Sequence, residues 1–79
     1  MMTEKQIYRR MNEAYECLLG HHSEDEWGET SSDLKTWRLY RPSEGWMAIL
    51  TLNEKEKMVE VSMEQNGKSH YFGNYSWRR

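Results

Sequence analysis

The chain has 79 residues, of which 37% are hydrophobic, 13% aromatic and 30% charged, with a formal net charge of −2 and a single cysteine, Cys17. That length excludes a two-domain enzyme or a multi-repeat array. The slight negative charge excludes a whole-molecule field that would draw in nucleic acid or anionic lipid, and one cysteine excludes an intramolecular disulfide.

No apolar run approaches the roughly 20 residues of a membrane span, so the reading is a single cytoplasmic domain over residues 1–79 with no membrane segment. A domain this small buries only about 60 to 65% of the surface its unfolded chain exposes. Large side chains therefore have to supply the core, and four Trp, five Tyr, one Phe and six Met are present for it.

Residues 3–19 carry the helix signal. Thr3 and Gln6 have the spacing of a capping box, and Met2 and Ile7 that of a hydrophobic staple. Ile7, Tyr8, Met11, Ala14, Tyr15 and Leu18 fall on one stripe, with Arg9 and Glu13 one turn apart on the polar side and Gly20 as the left-handed stop. Residues 20–33 lose all periodicity. Seven acids and no Lys or Arg lie between Glu13 and Asp33, which predicts a polar, acidic loop with a lone Trp27.

Beyond Leu34 the period changes to two, with turn signals about every ten residues. Strands are predicted at 35–41, 46–52, 57–63 and 68–76, separated by a Pro42–Gly45 turn, a charged turn over 53–56 and the hairpin dipeptide Asn66-Gly67. Consecutive hairpins give an antiparallel meander. The expected fold class is α+β: an N-terminal amphipathic helix packed on a four-stranded antiparallel sheet, in two layers.

Alternation places Trp46, Ala48, Leu50, Leu52, Val59, Val61 and Met63 on the helix side, completed by Trp37, Leu39, Tyr71 and Tyr75. The other side then carries Tyr40, Met47, Ile49, Met58 and Phe72 among polar residues. One helix covers one side of a sheet, so this second apolar face needs another cover. Trp27 or Trp77 folding back would provide it from within the chain. A second copy of the chain or a different protein would provide it from outside.

The expected function is non-enzymatic binding of a protein, as an inhibitor or adaptor, with homodimerisation as an equally physical outcome. Contacts would centre on Tyr40, Met47, Ile49, Met58 and Phe72, with Glu24, Asp25, Glu26 and Glu29 raising the association rate. Small acidic domains rich in Trp and Tyr are common among phage and mobile-element proteins that cover another protein's surface, an association of composition alone.

The alternative is a module for single-stranded nucleic acid, because basic and aromatic residues interleave at Arg38 and Arg41 and again at Lys68, Tyr71, Trp77, Arg78 and Arg79. No RNP-type, GXXG or zinc-knuckle signature accompanies them. Cys17, His21, His22, Glu24, Asp25 and His70 include zinc-ligating types, but without CxxC or HExxH spacing, so no metal or cofactor is expected. No phosphate-cradling loop is present, and a chain this short rarely builds a pocket that sequesters a substrate, so neither catalysis nor a small-molecule substrate is expected.

Overall fold

The structure, a computed structural model, describes residues 1–20 and 23–78. Among these residues the elements are α1 (Glu4–Leu18), β1 (Trp27–Thr30), β2 (Thr36–Arg41), β3 (Trp46–Asn53), β4 (Met58–Gln65) and β5 (Lys68–Ser76), with a short 3-10 turn over Pro42–Glu44. The fold is α+β, and the sheet is antiparallel with the order β1-β2-β3-β4-β5. The sequence predicts four strands and a loop over 20–33; the structure adds a fifth strand inside that segment.

Helix α1 starts where the side-chain chemistry requires. Thr3 Oγ1 accepts from the Gln6 backbone N–H at 3.2 Å, and Gln6 Oε1 accepts from the Thr3 N–H at 2.9 Å, so the capping box forms in full. Gly20 has φ of 76° beyond the helix end. The expected Arg9–Glu13 pair is instead an Arg10–Glu13 pair at 3.0 Å.

The helix stripe Ile7, Met11 and Ala14 is buried against Trp37, Ala48, Leu50, Leu52, Val59 and Val61, which form one core cluster. Each fully buried large aliphatic side chain there contributes about 1.5 to 3 kcal/mol. Trp37 fills the space beneath the helix edge, with Tyr8 tilted over it at 5.5 Å between ring centroids and its indole N–H donated to the Leu34 carbonyl at 3.0 Å.

Turn chemistry sets the register. Asn66 and Gly67 both have positive φ, 54° and 77°, so the two-residue hairpin closes with the backbone twist of its strands, and Gln65 pairs with Lys68. At Lys57 φ is 54°, and the Lys57 carbonyl accepts the Trp77 N–H at 3.0 Å. That bond carries the C-terminal segment toward the helix side. Trp77 packs against the core cluster, and the Arg10 guanidinium lies 5.2 Å from its ring centre.

The β4–β5 ladder contains an irregularity that strict alternation does not anticipate. Val61 pairs with Gly73 and Ser62 pairs with Tyr71, so Phe72 is an extra residue without a partner in β4. The bulge corrects the predicted facing of Tyr71. It shares the second face with Ser62, whereas Tyr75, opposite Val59, keeps its place on the helix side.

Candidate functional site

Register assigns the second face residue by residue, because directly opposed cross-strand partners share a side. One row runs Trp27, Tyr40, Met47, Glu64 and Ser69, and the next runs Glu29, Arg38, Ile49, Ser62 and Tyr71. Thr51 and Glu60 separate these rows from Met58, so Met58 stands apart at the far end. The sequence-predicted centre therefore comes together in part: Tyr40, Met47 and Ile49 are contiguous, Met58 is not, and Phe72 sits on the bulge.

None of Tyr40, Met47, Ile49, Met58, Tyr71 or Phe72 belongs to the core cluster or packs against it. Tyr40, Met47, Ile49 and Met58 are half-buried among their sheet neighbours, while Tyr71 and Phe72 are 62% and 43% exposed. Of the two intramolecular covers, only Trp27 lies on this face. It stacks on Tyr40 with ring centroids 4.1 Å apart and planes 14° from parallel, and it remains 52% exposed. A strand contributed by β1 thus extends the aromatic face instead of sealing it.

A groove of about 310 Å³ opens at one end of the aromatic row, lined by Trp27, Tyr40, Pro42, Trp46, Met47 and Glu64. Among the described residues, Glu64 is the charged member of its lining, with Asn66 as a neutral polar one. The face as a whole has the same bias: Glu29, Glu60 and Glu64 occupy register positions on it against a single guanidinium, Arg38.

The segment that positions Trp27 is anchored by a buried polar network. Glu26 and Arg41 form an ion pair whose side chains are 3% and 7% exposed. Tyr15 donates its hydroxyl to Glu26 Oε2 at 2.7 Å and accepts from Arg41 Nη2 at 3.2 Å, and Arg41 Nη1 reaches Glu44 Oε2 at 3.3 Å. The Arg41 guanidinium lies 4.6 Å from the Trp46 ring centre.

Burial disfavours the Arg41 cation, but the bonds from Glu26 and Tyr15 outweigh it and hold the guanidinium above its ordinary value. Burial, reinforced by the bond to Glu26, also pushes the Tyr15 phenol up. The network ties the helix, the residues before β1, the end of β2 and the 3-10 turn into one corner.

Two of the four acids named from sequence are thereby engaged within the chain. Glu26 is the buried partner of Arg41. Asp25 accepts from the Ser43 backbone N–H at 2.7 Å and from the Ser23 hydroxyl at 3.0 Å, and the Ser43 bond holds its carboxyl below the ordinary range. Glu24 and Glu29 remain exposed.

The basic residues of the nucleic-acid alternative are dispersed. Arg41 is buried, Trp77 packs on the helix side, and Arg78 reaches Glu56 Oε2 at 2.8 Å. Arg38 and Tyr71 share the second face, whereas Lys68 pairs with Gln65 in a register row that contains Trp46 of the helix side. Arg79 lies outside the described residues.

Cys17 is exposed, and among the described residues no three His, Cys, Asp or Glu side chains converge as metal ligands. His21 and His22 lie outside the described residues. No described helix is long and apolar enough to cross a membrane. Compared with known protein families, curated proteins and solved structures, the chain matches none.

Sequence reasoning names Trp27 as a candidate cover of this face but misses the strand that carries it, and it misses Tyr71 as the far end. A signal for Trp27 exists in the lone large aromatic of a polar segment, which has to bury its ring against something. The bulge that turns Tyr71 has no comparable signal before the register is known.

Proposed function

We propose that the protein is a non-enzymatic binding module that holds an extended, basic segment of a partner protein across the uncovered side of its sheet. The observation that carries this reading is the aromatic and apolar diagonal Trp27–Tyr40–Met47–Ile49–Tyr71, which the chain's own core leaves outside. The diagonal crosses five strands. At about 4.8 Å per strand spacing, that is on the order of 19 Å, a length that about six extended residues cover.

Charge argues for the kind of partner. Three carboxylates against one guanidinium on this face repel a second identical face, and they favour apolar residues interspersed with Lys or Arg. The groove beside Glu64 suits one such cation, since aromatic walls and a carboxylate both stabilise it. The same carboxylates oppose a phosphate backbone, and the basic residues that would offset them are scattered, so the single-stranded nucleic-acid reading has weaker support.

The test is a selection from a random-peptide display library on the folded protein, with an Ile49→Lys, Glu64→Lys double variant as the counter-target. The expected outcome is enrichment of sequences that combine apolar residues with Lys or Arg, whose binding weakens as salt rises. Enrichment of acidic sequences, or the same sequences recovered equally on a folded counter-target, would overturn the reading.

A further inference from the structure

A second groove, of about 350 Å³, lies where the first turns of α1 meet the β3–β4 turn and the C-terminal segment. Its walls include Met2, Arg9, Arg10, Glu54, Lys57 and Trp77. In an acidic chain this is a local concentration of positive charge, three side-chain cations against one carboxylate.

That carboxylate is already engaged. Glu54 Oε2 takes the Lys35 ammonium at 3.0 Å, and Glu54 Oε1 accepts the Met2 N–H at 3.0 Å. By contrast, among the described residues no carboxylate pairs with Arg9 or Lys57.

The cations are mounted on separately fixed pieces. Arg10 is held between Glu13, at 3.0 Å, and the Trp77 ring. Lys57 is fixed at its backbone, where its N–H donates to the Glu54 carbonyl at 3.3 Å and its own carbonyl accepts from Trp77. At the helix start the capping box engages the Thr3 and Gln6 N–H groups, and the Ile7 N–H bonds the Thr3 carbonyl. The charges that line the groove are carried by side chains, which would supply most of the attraction for an anion.

We propose that this groove binds the phosphate-monoester dianion of a small molecule whose apolar or aromatic substituent rests against Trp77 and Met2. A phosphate monoester carries close to two negative charges at neutral pH, with a second pKa of about 6, which matches the excess of cations over carboxylate. Guanidinium groups take phosphate oxygens in a planar fork, and a lysine adds a point charge. The volume falls at the small end of the range for small-molecule sites, roughly 300 to 1,000 Å³. None of these side chains lies on the aromatic sheet face, so the proposal stands or falls independently of the peptide-binding reading.

The experiment is a two-dimensional amide NMR titration of the full chain with phenyl phosphate, inorganic phosphate and benzoate. Saturable shifts are expected at the Trp77 indole N–H and at the Arg9, Arg10 and Lys57 amides, with phenyl phosphate tighter than either of the other two. Arg9→Gln, on an exposed helix face, and Lys57→Asn, which tolerates the positive φ, should each weaken phenyl phosphate about tenfold while the sheet resonances stay in place. Non-saturating shifts, benzoate binding as tightly as phenyl phosphate, or unchanged affinity in both variants would overturn the site. Inorganic phosphate binding as tightly as phenyl phosphate would overturn the role given to Trp77 and Met2.

Discussion

Replacing Glu26 by Gln tests the corner that presents Trp27, because it removes one charge from a pair whose side chains are 3% and 7% exposed and leaves the shape almost unchanged. Arg41 cannot shed its proton, so it stays as a buried cation, with the half-exposed Glu44 among the partners left to it. Removing one partner of a buried pair costs about 3 to 5 kcal/mol.

A chain of this length has a total stability of about 4 to 12 kcal/mol at roughly 0.05 to 0.15 kcal/mol per residue. Glu26→Gln should therefore remove about a quarter of the stability or more and lower the thermal midpoint by upward of about 12 °C. The assay is guanidinium unfolding followed by tryptophan fluorescence, with Arg41→Met and the double variant completing a cycle. The double variant should be less destabilised than the two single changes add up to, since it buries no unpaired charge. A loss below about 1 kcal/mol for Glu26→Gln, with strict additivity in the cycle, would show the pair to be solvated and the reasoning wrong.

Gly28→Ala should loosen β1, because a Cβ there would stand 2.8 Å from Leu39 Cδ2 and 2.9 Å from the Arg38 carbonyl oxygen. Amide exchange in residues 27–30 would accelerate while exchange in β3 and β4 holds, and unchanged β1 protection would refute the tight approach. Thr3→Ala opens the capping box and should cost about 1 kcal/mol in the same unfolding assay; no measurable change would mean the cap is idle.

Acid stability follows from Asp25, Asp33 and Glu54, which the Ser43 N–H, the Ser31 hydroxyl and the Lys35 ammonium respectively hold below their ordinary values. Their contribution is complete above the unfolded values of 3.8 and 4.5 and is lost as pH falls through the lower folded ones. The unfolding midpoint should be flat from those values up to about pH 10 and fall below them, less steeply in Asp25→Asn. A midpoint that rises on acidification would contradict the assignment. Tyr15 and Lys35 act in the opposite direction, being raised in the folded chain, so stability also declines as pH rises past about 10.

How much was legible in the sequence depended on how local the determining interactions are. Thr3 with Gln6, the Ile7–Met11–Ala14 stripe and Asn66-Gly67 act within a few residues, and each forms as their spacing predicts. The strand β1 did not read as one because Trp27–Thr30 is exposed along its length and pairs on one side only. What secures it is Trp27 on Tyr40, Gly28 against Leu39 and Glu26 on Arg41, all contacts across many residues.

The acids of 24–29 looked equivalent in sequence, yet their burial differs because one of them meets an arginine from β2. On the candidate face, Tyr40, Met47 and Ile49 followed from alternation. Tyr71 could not, since one extra residue, Phe72, reverses the facing of what lies beyond it.

Adjacent residues 49 and 50 face different environments, Leu50 in the core and Ile49 half-buried on the side of the sheet that the core leaves outside. Unfolding free energies of Ile49→Lys and Leu50→Ala, measured side by side with titration of a selected basic peptide, test this difference most directly. Leu50 is fully buried and should lose about 2 to 5 kcal/mol. Ile49→Lys should lose no more than about 1 kcal/mol, mainly from a like charge placed opposite Arg38, while peptide binding disappears. Comparable losses of stability at the two positions, or full peptide affinity in Ile49→Lys, would contradict the account.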